Sequence, residues 1–355
     1  MKAKKILSMI LLIAYVFVLY WAMGTFTDYP PLPVLIAAAL AIPFMVVTHE
    51  LGHLIFGLLT GYRFVSFRVF SLMLAKDNGK WAVRRMSIPG TAGQCLMAPP
   101  RKKDGKYPFV LYNLGGILFC GVLSLVPTLL GLYLPSRVGL PLFIFGFVSL
   151  VMNLMNAIPT NGKSMINDAT NIRMAKKSAA ARTALWNQLE YVALHAQNIR
   201  TGDMPEELFF LPDSKELSNP LITWQITADI ERAEDLGEYE KARNTAYFAL
   251  DNAAYLFPLY ESLLRLEAIY LDAILGKDSA GADEYFEKVK KQPALQTLIS
   301  FHRASYAYFL LQKQDPEEAQ KALALYEKKI KSAPFEAEVS FEQRQLEQIR
   351  QKANP

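Results

Sequence analysis

The sequence predicts a mainly α protein in two unlike halves: a polytopic membrane helix bundle of about four spans with a small β-hairpin, then a cytoplasmic α-solenoid-like domain. Three observations predict it. Four apolar runs before residue 160 are each long enough for a bilayer, which needs about 20 mostly apolar residues. Charge divides along the chain, with 15 Lys plus Arg against 5 Asp plus Glu through Thr170, and 23 against 28 after it. The second half reads as helices whose alanines recur at a near-regular spacing. Nothing in the basic half looks like a nucleic-acid surface, because its charges sit in one loop between hydrophobic runs.

The first apolar run, about Ile6 to Phe26, follows Lys2, Lys4 and Lys5. It exceeds the apolar core of a signal peptide and no clear small-residue cleavage site follows, so it reads as a retained anchor. The second runs from about Pro33 to Leu59 and holds His49-Glu50-Leu51-Gly52-His53 near its far end. The third spans about Pro108 to Leu134 and the fourth about Leu140 to Ile158. Their internal glycines and prolines are tolerated in membrane helices. Between the second and third runs lie ten basic residues, from Arg63 to Lys106, whereas the other two loops carry only Asp28 and Arg137. The positive-inside rule then places the N-terminus, the long loop and everything after the fourth run in the cytoplasm.

Within that loop, Val65–Phe70 and Trp81–Met86 are rich in β-branched and aromatic residues. Asp77-Asn78-Gly79 between them is a hairpin turn signal, because Asn-Gly supplies the positive φ angles of a primed turn. The hairpin is expected at the membrane surface. It either offers an edge to an extended substrate segment or only plugs the bundle.

His-Glu-x-x-His on a helix sets two imidazoles one turn apart on one face, a natural pair of zinc ligands, with a glutamate able to act on a metal-activated water. From Pro31 through Gly61 these three side chains are the only charged or readily ionisable ones apart from Tyr and Thr hydroxyls. Ionisable groups at membrane depth are costly and point to function. A catalytic zinc usually takes three protein ligands. His195 and His302 lie far down the soluble-looking half, so the better third donor is Asp168, the one carboxylate between Asp104 and that half. Asp168 reads equally well as the N-cap of the helix that follows. Cys95 and Cys120 cannot build a disulfide framework, and Cys120 sits in an apolar run.

His49-Glu50-x-x-His53 in a membrane helix, with Asn156-x-x-Pro159 and the later Asp168, resembles the site-2 protease family of intramembrane zinc metalloproteases. The likeness covers about Ile6 to Ile172. It implies that His49, His53 and Asp168 bind zinc, that Glu50 is the general base, and that Asn156 helps hold the substrate backbone. It further implies a bacterial membrane enzyme that hydrolyses a peptide bond within or at the edge of the bilayer, in a membrane-bound protein or peptide precursor. Two positions depart from the family: Ala169 follows Asp168 where glycine is usual, and Cys120 stands where an asparagine is common.

In the second half, Leu236–Ala242, Gly276–Ala282 and Gln314–Ala319 read as turns, each followed by a helix that opens on an alanine. Those alanines stand 40 and 37 residues apart, near the period of about 34 of tetratricopeptide repeats, which the region resembles. Such repeats stack into a solenoid that recruits a cytoplasmic partner or the soluble part of a substrate. The expected domains are residues 1–172 for the membrane enzyme, 173–215 for a helical linker and 216–355 for the repeats. The competing reading is a catalytically silent, membrane-tethered repeat adaptor.

Overall fold

A computed structural model of the chain describes residues 30–87, 91–160, 166–277, 281–293, 295–333 and 335–353. The protein is mainly helical, with twelve α-helices and four antiparallel strands among the described residues. The chain separates into two units, Met1–Phe70 with Gly90–Arg173 and Ser71–Pro89 with Met174–Pro355. Each is considered in its described parts.

Three helices of the first unit, α1 (Pro31–Leu59), α2 (Phe109–Tyr133) and α3 (Ser136–Asn156), are long and apolar enough to cross a membrane. Their bounds lie close to the second, third and fourth apolar runs read from the sequence. The first run, Ile6 to Phe26, lies outside the described residues. Without a water-driven hydrophobic force, helices in lipid associate through small residues that let backbones approach. Gly52 and Gly115 provide that approach: a Cβ on Gly115 would lie 2.6 Å from the Gly52 carbonyl oxygen, and one on Gly52 would strike the Gly115 carbonyl. Three turns earlier on α1, Ala41 packs on Leu140, Ile144 and Val148 of α3, and the Ser149 hydroxyl donates to the Ala41 carbonyl at 3.2 Å.

After α1 the chain forms β1 (Arg63–Val69), β2 (Leu72–Asp77), β3 (Lys80–Arg85) and β4 (Gly93–Ala98). In the first unit β1 pairs with β4, from Arg63 opposite Ala98 to Val69 opposite Gly93, with a bulge between Phe64 and Ser66. The pairing expected between Val65–Phe70 and Trp81–Met86 does not form. Asn78 and Gly79, both at positive φ, make a two-residue turn that sets Asp77 opposite Lys80. So tight a turn joins only the strands that touch it, and β3 therefore takes β2. There is accordingly more strand than the small hairpin expected.

The second unit holds that hairpin together with helices from residue 174 onward. The Asn78 amide donates to the Ala196 carbonyl at 2.7 Å, and Arg84 bonds both Asp77 and the Ala333 carbonyl. Following α4 (Asp168–Ala175), α5 (Ala179–His195) is capped by Ser178, whose hydroxyl accepts from the Ala181 amide. Residues 174–215, set down from sequence as part of a linker, fold inside this unit, with Asn187 of α5 donating to the Leu208 carbonyl at 2.8 Å. Then come α6 (Pro220–Asp235), α7 (Tyr239–Asp251), α8 (Pro258–Leu275), α9 (Ala282–Lys290), α10 (Ile299–Ala307), α11 (Pro316–Ile330) and α12 (Glu336–Ala353). The three turn segments join α6 to α7, α8 to α9 and α10 to α11, and Ala242, Ala282 and Ala319 are buried where the helices meet. Residues 278–280 of the middle turn lie outside the described residues. The last helix turns back across the earlier ones: Arg344 bonds Asp235 of α6, and Gln345 accepts from Tyr239 and Tyr270 of α7 and α8.

Candidate metal centre

One helical turn of α1 carries His49, Glu50 and His53, and all three are buried. The fourth chemical group comes from α4. Asn167 is the cap of that helix, its side-chain oxygen accepting from the Thr170 amide at 3.0 Å and from the Thr170 hydroxyl at 2.7 Å. Its amide also donates to the Ile158 carbonyl at 2.8 Å, which ties α4 to the chain leaving α3. The cap reading of Asp168 therefore passes to its neighbour, and the Asp168 carboxylate faces the imidazoles.

The donors converge. His49 Nε2 lies 2.9 Å from Asp168 Oδ2, His53 Nε2 lies 3.3 Å from the same oxygen, and the two Nε2 atoms are 3.2 Å apart. Both rings are fixed from behind. His49 Nδ1 bonds the Asn153 side-chain oxygen at 2.9 Å, and His53 Nδ1 bonds the Tyr112 main-chain carbonyl at 2.9 Å. With Nδ1–H donating to an oxygen in each ring, a neutral imidazole turns a bare lone pair inward. Two lone pairs and a carboxylate oxygen then face one another and need a proton or a metal ion among them. Ligand atoms of a tetrahedral zinc with bonds near 2.0–2.1 Å stand about 3.3 Å apart, close to the spacing found here. Rings oriented through Nδ1 by carbonyl oxygens are the usual outer support of such ligands. The donor set thus fits zinc by atom type, spacing and support.

Space for the rings comes from α2, where a Cβ on Gly116 would lie 2.6 Å from His53 Nε2 and 2.7 Å from His49 Nε2. Burial pushes the Asp168 carboxyl up, yet His53 and His49 more than offset this and hold it below the ordinary carboxylate range. Glu50 projects toward the opening of β4, its carboxylate against Gly93. Beside it lies Arg68 of β1, which is 1% exposed. The Arg68 guanidinium donates to the Phe70 carbonyl at 2.7 Å, the Gly93 carbonyl at 3.2 Å and the Thr91 hydroxyl. Burial lowers its pKa and the Glu50 charge draws it back up.

Of the residues proposed from sequence, His49, His53 and Asp168 come together, and Glu50 lies one residue from His49 on the same turn. Asn156 is half-buried at the last residue of α3, and the amide that reaches His49 is Asn153, one turn earlier. Sequence reasoning missed Asn153 and Arg68. A signal existed for the first: Ser149, Asn153 and Asn156 mark one polar face of an otherwise apolar helix. Arg68 had none, since it reads as one more basic residue of the loop. His195 bonds Thr201 at 2.9 Å and His302 bonds the Gln296 carbonyl at 3.0 Å, both within the second unit. Cys95 and Cys120 are free and buried.

No protein-family model, curated protein or solved structure matches this chain.

Proposed function

We propose that the protein is an intramembrane zinc metalloprotease of a bacterial cell membrane, multi-pass with both termini cytoplasmic. It would cleave a membrane-bound protein or peptide precursor within or at the edge of the bilayer. The observation that carries this reading is the convergence of His49 and His53, on a helix apolar enough to cross a membrane, with Asp168 of α4, each ring's Nδ1 being tied to an oxygen.

Zinc held by His49, His53 and Asp168 would supply the Lewis acidity that activates water near neutral pH. Asn153 and the Tyr112 carbonyl keep both Nε2 atoms turned inward, so the donors are pre-aligned. Glu50 accepts the proton of the attacking water and returns it to the leaving amine, the ordinary double duty of a general base. A substrate helix must unwind before its carbonyl is reachable. β4 lies at the edge of the sheet and its first residue touches Glu50, so a strand added alongside β4 would pass the general base. Asn156, at the end of α3, would hold the unwound backbone. The helical second unit would recruit the soluble part of the substrate or a cytoplasmic partner.

The test compares cells producing the wild-type protein with cells producing Glu50→Gln, by sequencing new N-termini in their membrane fractions. Glutamine keeps the size and one acceptor oxygen while removing the base, so new termini in or beside apolar segments should appear only with the wild type. Equal sets from the two strains, with zinc present in both purified proteins, would favour the tethered adaptor instead.

A further inference from the structure

The β2–β3 hairpin has an outward face of unusual make-up. Its inner face is ordinary, with Met73 and Ala75 buried and Asp77 paired to Arg84. The register sets Leu72 opposite Arg85, Leu74 opposite Val83 and Lys76 opposite Trp81 on the other face. There Leu72 is 59% exposed, Leu74 39%, Trp81 64% and Val83 69%. Lys76 and Arg85 are exposed on this face as well, and no carboxylate of the hairpin joins them there.

An antiparallel pair with one buried face normally turns polar residues to water on the other. A contiguous exposed apolar patch marks a contact surface instead. The composition selects the occupant. Tryptophan with aliphatic residues, interleaved with lysine and arginine and free of acid, matches the headgroup layer of an anionic leaflet, where indoles settle at the interface and basic residues meet lipid phosphates. The bilayer is also within reach, because Leu72 follows the end of α1 at Leu59 by only thirteen residues.

We propose that the outward face of the β2–β3 hairpin, centred on Trp81, Val83, Leu72 and Leu74 and flanked by Lys76 and Arg85, docks on an anionic lipid surface. This is independent of the metal centre and of its proposed chemistry.

The full chain can be tested in lipid nanodiscs of phosphatidylcholine, with or without phosphatidylglycerol, whose acyl chains carry bromine near the headgroup. Subtracting the fluorescence of Trp81→Phe from that of the wild type isolates the Trp81 emission. That emission should be quenched by the brominated lipid at least twofold, be shielded from aqueous acrylamide, and show both effects more strongly in the anionic discs. Replacing Lys76 and Arg85 together by serine should remove most of the difference between anionic and neutral discs while the far-ultraviolet spectrum stays unchanged. Full acrylamide access with no bromine quenching would overturn the proposal by placing the face in water. Shielding from both quenchers would overturn it too, by showing that protein covers the face.

Discussion

Two buried clusters of ionisable side chains invite comparison, one in each unit. In the first, His49, His53 and Asp168 point their donor atoms at one another. In the second, Glu234, Glu267 and Glu342 point theirs at Arg303, at 3.6, 2.7 and 3.7 Å, and Tyr270 lies 4.4 Å beneath the guanidinium. Burial alone would weaken the Arg303 charge, but Glu267, Glu342 and Glu234 together hold it well above its ordinary range. Burial and shifted titration therefore do not separate a reactive site from a structural strut. The direction of the donors does. Lone pairs aimed at a fixed side-chain cation make a strut, whereas lone pairs aimed at one another need an ion or a proton from elsewhere.

The largest expected effect breaks the strut. Arg303→Leu strands three carboxylates in the interior, and removing one partner of a buried ion network costs about 3–5 kcal/mol. Urea unfolding followed by circular dichroism should show the helices of the second unit melting early. Asp168→Asn should leave that transition in place while zinc falls from about one per chain to a small fraction of it. An unchanged urea midpoint for Arg303→Leu would remove the contrast between the clusters.

The next effect sharpens the first cluster. Gly116→Ala places a methyl group against both Nε2 atoms, so the rings must turn away from Asp168. Zinc affinity should fall by about two orders of magnitude, a loss of the size seen when ligand orientation fails. Competition with a fluorescent chelator measures it, and wild-type affinity would show that the rings do not meet at α2.

A titration separates the clusters in another way. Burial pushes the Glu342 carboxyl up to about 7 from 4.5, although Arg303 opposes the shift. A carboxyl that holds its proton more tightly when folded stabilises the fold fully below pH 4.5, and that contribution fades as the pH rises through 7. The second unit should thus be more stable at pH 5 than at pH 8, by about 1–3 kcal/mol. Glu342→Gln should flatten the dependence of the urea midpoint on pH. A dependence of opposite sign would mean that the ion pair with Arg303 outweighs burial.

The smallest effect concerns support rather than ligation. Asn153→Ala removes the oxygen behind His49 and leaves all three donors in place. Loss of such a partner lowers metal affinity by about 10–100-fold. Isothermal titration of zinc into the apo protein should find the site weakened but still present.

The legible parts of the chain were those in which local pattern suffices. A long apolar run specifies a membrane-length helix wherever it sits, and His49 and His53 share a face by spacing alone. What stayed hidden needed contacts distant in sequence. Asn167 and Asp168 are adjacent and either could cap a helix; only the fold turns one toward Thr170 and the other toward α1. The partner of β3 followed from turn length, which the strand-like composition of Val65–Phe70 outweighed in the reading. β4 carries little β-branched signal and was not anticipated at all. The recrossing of α12 over α6 and α8 is likewise silent in sequence, because repeat spacing describes neighbours and Arg344 meets Asp235 across 109 positions. A strictly one-dimensional stack of repeats has no such contact.

Gly52 lies inside the His-Glu-Leu-Gly-His turn and is also where the backbone of α1 meets that of α2 at Gly115. The place where two rods touch acts as their pivot. When bilayer thickness changes, membrane helices answer by tilting. A rocking of 5° moves the start of α1, about 30 Å from Gly52 at 1.5 Å per residue, by roughly 2–3 Å. Atoms beside the pivot have almost no lever arm and shift by only a few tenths of an ångström. By carrying both imidazoles on the turn that touches α2, the chain keeps their distance from that helix nearly constant while the far end of α1 follows the lipid.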